Sequence, residues 1–266
     1  MGGDDGKESP ENQHVSARRA TLTSEENKTS AVAAAAMKSV ICVIDFDETL
    51  FPTTQFLKGF ETFPFLINEK TGHAEMEDFP CPASTDTLFF LQLAYELEML
   101  FSTAFIVADH VYIVTNSSIG WIDGIIQHYM PSLQQTLMTI PRIYCRDSYG
   151  QYAQGEDSMS TIKSHAIFDI LRWHEPTHII GVGDQYADWY SLFDMCEPLD
   201  MSTYFLKMPH VPIMCPEKFL DTIRIVRNTL AVVLDSEGGG PHSFIVIDEP
   251  KRKEKDGEYR GPEPIL

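Results

Sequence analysis

The chain has 266 residues, enough for one α/β domain with a full hydrophobic core. Hydrophobic residues make up 43% and charged residues 22%, and 16 Gly with 16 Pro are too few for a fibrous or wholly disordered chain. The formal net charge of −19 opposes nucleic-acid phosphates and anionic lipid but suits divalent cations, so an anionic substrate would need a local positive centre.

Residues 1–37 read as a disordered tail, rich in Ser, Thr, Asn and Glu and closed by an alanine-rich run at 31–36. Its first 30 residues hold six acids against four bases, so the acidity belongs to the rest of the chain. The opening acids Asp4, Asp5 and Glu8 fit neither a signal peptide nor a transit peptide. The cysteines Cys42, Cys81, Cys145, Cys196 and Cys215 are odd in number and lack C-x-x-C spacing. That excludes a zinc knuckle and a disulfide framework, and reduced thiols in a cytoplasmic protein, or a nuclear one, are expected. The best apolar stretch, 100–114, is broken by Asp109 and His110, so no membrane span is expected.

A folded domain is expected over 38–235. Five apolar runs of strand length lie at 40–44, 111–114, 143–145, 179–182 and 204–206. None alternates polar with apolar, which is the pattern of strands buried on both faces of a parallel sheet. Helical patterns fall between them. The first, 84–103, places Leu88, Leu91, Tyr95, Leu97 and Leu100 on one side, and others cover 118–129 and 160–173. The last, 216–234, opens on Pro216 and puts Phe219, Leu220, Ile223, Val226 and Leu230 on one face. The alternation predicts a doubly wound, mostly parallel Rossmann-like sheet with helices on both faces, binding ligands beyond the carboxyl ends of its strands. Residues 51–82 form a short flap or cap insertion with Phe51, Phe56, Phe60, Phe63 and Phe65 as an aromatic mini-core. Residues 236–266 read as a largely flexible extension, with an edge strand at 244–247.

Polar groups follow the strands. The first run leads into Asp45-Phe46-Asp47-Glu48-Thr49, the second into Thr115-Asn116, and the fourth into Gly183-Asp184 with Asp188 four residues on. Lys163 lies near the start of the helix before the fourth run. Taken singly, a D-x-D pair is usually a turn or helix cap, Thr115 a cap and Lys163 a solvated lysine. Their common placement at strand ends and a helix start is not explained by such independent causes.

This set resembles the haloacid dehalogenase (HAD) superfamily, on a D-x-D-x-T signature at Asp45–Thr49, a strand ending in Thr115, Lys163, and a G-D-x-x-x-D signature at Gly183–Asp188. The resemblance spans about residues 39–210 and implies a HAD-like fold and a Mg²⁺-dependent phosphatase working through an aspartyl-phosphate. It makes Asp45 the nucleophile, Asp47 the general acid and base, and Lys163 the balancing charge. Thr115 and the Asn116 backbone N–H would hold a phosphoryl oxygen. The metal ligands implied are the Asp45 carboxylate, the Asp47 backbone carbonyl, Asp184 and Asp188. Thr49 would fix the turn after the strand.

With only a small or minimal cap the site should be open, suiting a phosphorylated small molecule or phosphoprotein. Arg142 and Arg146 are candidates for a second anionic group, with surface ion pairing as their plainer role. His128, His165 and His174 lack metal-ligand spacing, and Trp121 reads as core. Two other functions use the same residues: phosphomutase or phosphotransferase activity, and non-catalytic binding on a retained fold.

Overall fold

The computed structural model describes residues 39–57, 65–67, 74–76, 84–153, 158–209, 216–235 and 242–247. The expected tail 1–37 lies outside them. Six parallel strands form one sheet: β1 (Val40–Ile44), β4 (His110–Thr115), β5 (Arg142–Tyr144), β6 (His178–Gly183), β7 (Ser202–Lys207) and β8 (His242–Val246). Their spatial order is β5-β4-β1-β6-β7-β8, and every pairing is parallel. The order reverses direction beside β1, so the chain leaves a crevice at the carboxyl ends of β1 and β6. A separate antiparallel hairpin joins β2 (Phe65–Ile67) to β3 (Ala74–Met76) inside the expected flap.

Both faces of the sheet are covered, as apolar strands without alternation require. Cys42, Ile44, Val111, Ile113, Ile180 and Leu206 face one layer, built from α2 (Ser84–Val107), α3 (Trp121–Tyr129) and α8 (Pro216–Leu230). Ile41, Val43, Val114, Ile179 and Phe205 face the other, built chiefly from α6 (Ser158–His174) and α7 (Tyr186–Cys196). Short helices α1 (Thr53–Leu57), α4 (Gln134–Met138) and α5 (Cys145–Tyr149) complete the connections among the described residues. The strand expected at 244–247 is β8, which extends the parallel sheet by pairing with β7 and puts an ordered strand inside the extension past 235. Helix α3 starts at Trp121 rather than 118, because Gly120 before it sits at φ 89°, outside helical geometry.

Helix α2 departs from expectation. Its buried face is Phe90, Leu93, Ala94, Leu97, Leu100, Phe101 and Ala104, whereas Leu88, Leu91 and Tyr95 are exposed. The helix is apolar nearly all round, so periodicity could not choose its face. The phase is set by long-range contacts: Phe90 meets Phe51 and Tyr129, and buried Glu96 accepts from Arg224 Nε (2.8 Å) and Arg227 Nη1 (3.0 Å) on α8. The longest apolar stretch is Thr87–Val107 in α2 rather than 100–114, and by length and composition alone it could cross a membrane. In the fold that stretch supplies one wall of the core and carries the Glu96 ion pairs.

Phe51 and Phe56 belong to the main core rather than to a mini-core. Phe51 is fully buried, and Phe56 packs edge-on to Phe51, Trp121 and Tyr129. Phe60 and Phe63 lie outside the described residues.

Candidate active site

The turn after β1 is wound tightly by its own backbone. The Phe46 carbonyl accepts the amides of Thr49, Leu50 and Phe51, and the Glu48 amide donates to the Phe51 carbonyl. Glu48 pays for this with a φ of 58°, an uncommon value for a residue with a Cβ. Phe46, Leu50 and Phe51 anchor the turn in the core, and Asp45 and Asp47 are thereby directed to the sheet rim. The Asp45 amide donates to the Val182 carbonyl (2.9 Å), which ties the turn to the end of β6.

Asp45, Asp184 and Asp188 converge, each offering a carboxylate oxygen within 4.8 Å of the others. Lys163 Nζ donates to Asp45 Oδ1 at 2.7 Å and to Asp188 Oδ1 at 2.5 Å, and lysine and both acids are almost fully buried. The other oxygen of Asp188 accepts the Gln185 amide (3.2 Å) at the start of α7, so one carboxylate caps a helix and holds the lysine. Thr49 Oγ1 lies 3.4 Å from Asp45 Oδ2. Val43, Val114, Ile167 and Leu192 wall the pocket that contains Asp45, Lys163 and Asp188, keeping the ion pairs away from water.

Gly183 explains itself in this geometry. A Cβ there would lie 2.5 Å from Asp188 Oδ2. The bare backbone lets the carboxylate close against the strand end.

Burial raises the Asp45 carboxyl well above the ordinary carboxylate range; Lys163 opposes this, while Asp188, Asp47 and Asp184 push the same way. Burial works against the charge on Lys163, but Asp45 and Asp188 outweigh it and hold the ammonium above its usual pKa. Crowded acids that a single lysine cannot balance are the condition a divalent cation relieves. The donors are hard carboxylate oxygens, and among the described residues no other group of His, Cys, Asp and Glu is placed to hold an ion. The set could hold a metal ion, and its oxygen donors suit a hard cation rather than a soft one. Burial pushes the thiols of Cys42, Cys145 and Cys196 up to about 12, so none is a thiolate at neutral pH. Cys81 and Cys215 lie outside the described residues.

The Asp47 carboxylate stands apart from the acidic cluster. Oδ1 accepts Thr53 Oγ1 (2.7 Å) and Trp121 Nε1 (3.0 Å); Oδ2 accepts Thr115 Oγ1 (3.1 Å) and Ser117 Oγ (2.5 Å). Both oxygens of the Asp47 carboxylate are thus taken up by neighbouring donors. Thr115 is fully buried, and its oxygen also receives the Ser117 amide at 3.0 Å. Asn116 is half-buried beside it.

Sequence reasoning missed Thr53, Ser117 and Lys207, and took Trp121 as core alone. Lys207 ends β7, and its buried Nζ donates to the backbone carbonyls of Asp184 and, at 2.7 Å, Met208. Its signal was available: a lysine closing an apolar parallel strand on the edge where the acids emerge. Burial lowers its pKa, against the pull of Asp184 and Asp188. Arg142 pairs with Asp123 on α3, its plainer expected role. His174 Nε2 meets the Tyr112 hydroxyl (2.6 Å), His128 Nδ1 the Gly124 carbonyl (2.9 Å), and His165 stacks on Tyr152.

Comparison with protein families, with curated proteins and with solved structures found no match.

Proposed function

We propose that the chain is a Mg²⁺-dependent phosphatase of HAD type that hydrolyses a phosphomonoester through an aspartyl-phosphate on Asp45. The observation that carries this reading is Asp45 itself: a buried carboxylate at the switch point of the sheet, bonded to Lys163 and facing Asp184 and Asp188. Such a group can attack phosphorus only if surrounding positive charge offsets the repulsion between two anions. Lys163 supplies one such charge. Asp45, Asp184, Asp188 and the Asp47 carbonyl would hold the cation, which when bound would supply the rest of the positive charge against the phosphoryl oxygens.

In the first half-reaction an Asp45 oxygen bonds to phosphorus as the ester P–O bond breaks, and Asp47 gives its proton to the departing oxygen. In the second, a water oxygen bonds to phosphorus, its proton passes to Asp47, and the Asp45 carboxylate and orthophosphate are released. Thr115, Ser117 and the Asn116 amide would hold a phosphoryl oxygen. The substrate is a phosphorylated small molecule or phosphoprotein.

The test is hydrolysis of small phosphates and phosphopeptides with and without Mg²⁺, with Asp45→Asn as blank. Metal-dependent release of orthophosphate by the native chain, abolished in Asp45→Asn, is expected. Turnover by Asp45→Asn at the native rate would remove the nucleophile. Transfer to an added alcohol in place of water would favour the phosphotransferase alternative.

A further inference from the structure

Trp121 and Thr53 hold Asp47 in a way that its role as proton carrier would use. The four donors on this carboxylate divide by oxygen. Oδ1 is bound by the Trp121 indole N–H and the Thr53 hydroxyl, and Oδ2 by the hydroxyls of Thr115 and Ser117. The two pairs differ in rigidity. The Trp121 ring is 4% exposed and lies edge-on to Phe51 and Phe56, with centroids 6.4 Å away in each case. An indole N–H can only donate, and this one cannot turn without moving those rings. Thr115 and Ser117 lie at the end of β4, and a hydroxyl proton re-aims by rotation about one bond.

Resting on the phosphatase reading above, we propose that Trp121 and Thr53 are positioning residues that latch Asp47 by Oδ1, while Oδ2 exchanges its hydroxyl partners for the leaving oxygen of the substrate. An arriving phosphoryl group draws the Thr115 and Ser117 hydroxyls to its own oxygens. That leaves Oδ2 open, and the carboxyl keeps its direction because Oδ1 stays bound at two points. A carboxyl held at one oxygen retains the orientation on which proton delivery depends, where a freely rotating one does not.

A buried indole needs an acceptor in any fold, so Trp121 would bond some oxygen even without a catalytic role. The two roles separate by leaving group. Proton delivery matters little for an aryl phosphate with an acidic phenol and greatly for an alkyl phosphate. The experiment measures kcat/KM on p-nitrophenyl phosphate and on a simple alkyl phosphate for the full chain, Trp121→Phe, Thr53→Val and Thr53→Ser. Trp121→Phe and Thr53→Val are expected to lose at least ~10-fold more on the alkyl than on the aryl substrate, and Thr53→Ser to restore the native ratio. Thr53→Val is nearly isosteric and serves if Trp121→Phe fails to fold. Equal losses on both substrates in an active protein would overturn the latch and leave the phosphatase reading in place. A native chain that hydrolyses neither would remove the reading and the latch together.

Discussion

At the scale of single residues, the site depends on groups that fill no catalytic role. Gly183 is one. Its absent side chain gives Asp188 room to cap α7 and bind Lys163 together. Gly183→Ala is therefore expected to push the carboxylate off the lysine and weaken cation affinity about 10–100-fold, as loss of a ligand-orienting contact does; a Mg²⁺ titration by calorimetry measures it. His174 is another. Burial first, and then the nearby His110, lower its pKa in the folded chain, where the Tyr112 hydroxyl lies 2.6 Å from its Nε2. A folded pKa below the unfolded one means that the unfolded chain takes up the proton first. This contribution to stability is present above about pH 6.5 and is lost as the pH falls below it. Urea midpoints at pH 7.5 and 5.5 should differ accordingly, and His174→Gln should shrink the difference.

At the scale of elements, α2 shows how an apolar helix is oriented. The chain offers it two apolar faces, and packing of Phe90 on Phe51 together with the Glu96 pairs to α8 selects one. The consequence is measurable by paired substitution. Leu97→Ala is expected to cost about 2–5 kcal/mol, because Leu97 is buried in the core. Leu91→Gln should change stability by no more than about 0.5 kcal/mol, since Leu91 is exposed. Chemical denaturation of both decides the phase: a large loss at Leu91 would mean that the face assigned from periodicity is the buried one after all. The strands carry no such ambiguity, since a strand buried on both faces is apolar at every position.

At the scale of the whole molecule, the site exists because the sheet changes direction beside β1. The turn after β1, the loop after β4 and the turn after β6 are brought to one edge, and α6 reaches across with Lys163. The far side of the sheet is closed by β8. Phe244 on that strand stacks on Phe205 (5.7 Å) and meets Trp189 (5.3 Å). Removing residues 236–266 should strip the β7 edge of its hydrogen bonds and these rings. The expected loss is more than ~2 kcal/mol, with faster hydrogen exchange at β7 amides; unchanged exchange would mean that β8 adds nothing to the sheet.

The amino-acid sequence alone carried the class of fold and the acidic set. Unbroken apolar runs at 40–44 and 179–182 can be buried on both faces only in a covered parallel sheet, and Asp45 and Asp184 come just after those runs, with Asp188 four residues on. Local order along the chain was enough, because a residue placed just past a parallel strand emerges at the same rim as its counterparts. Tertiary structure decided the rest: which side of α2 is buried, that Lys163 bridges two acids, and that Thr53, Ser117 and Trp121 share Asp47 with Thr115. These are meetings between residues up to 131 positions apart, as from Glu96 to Arg227, and no local period or spacing encodes which side chain will lie opposite which.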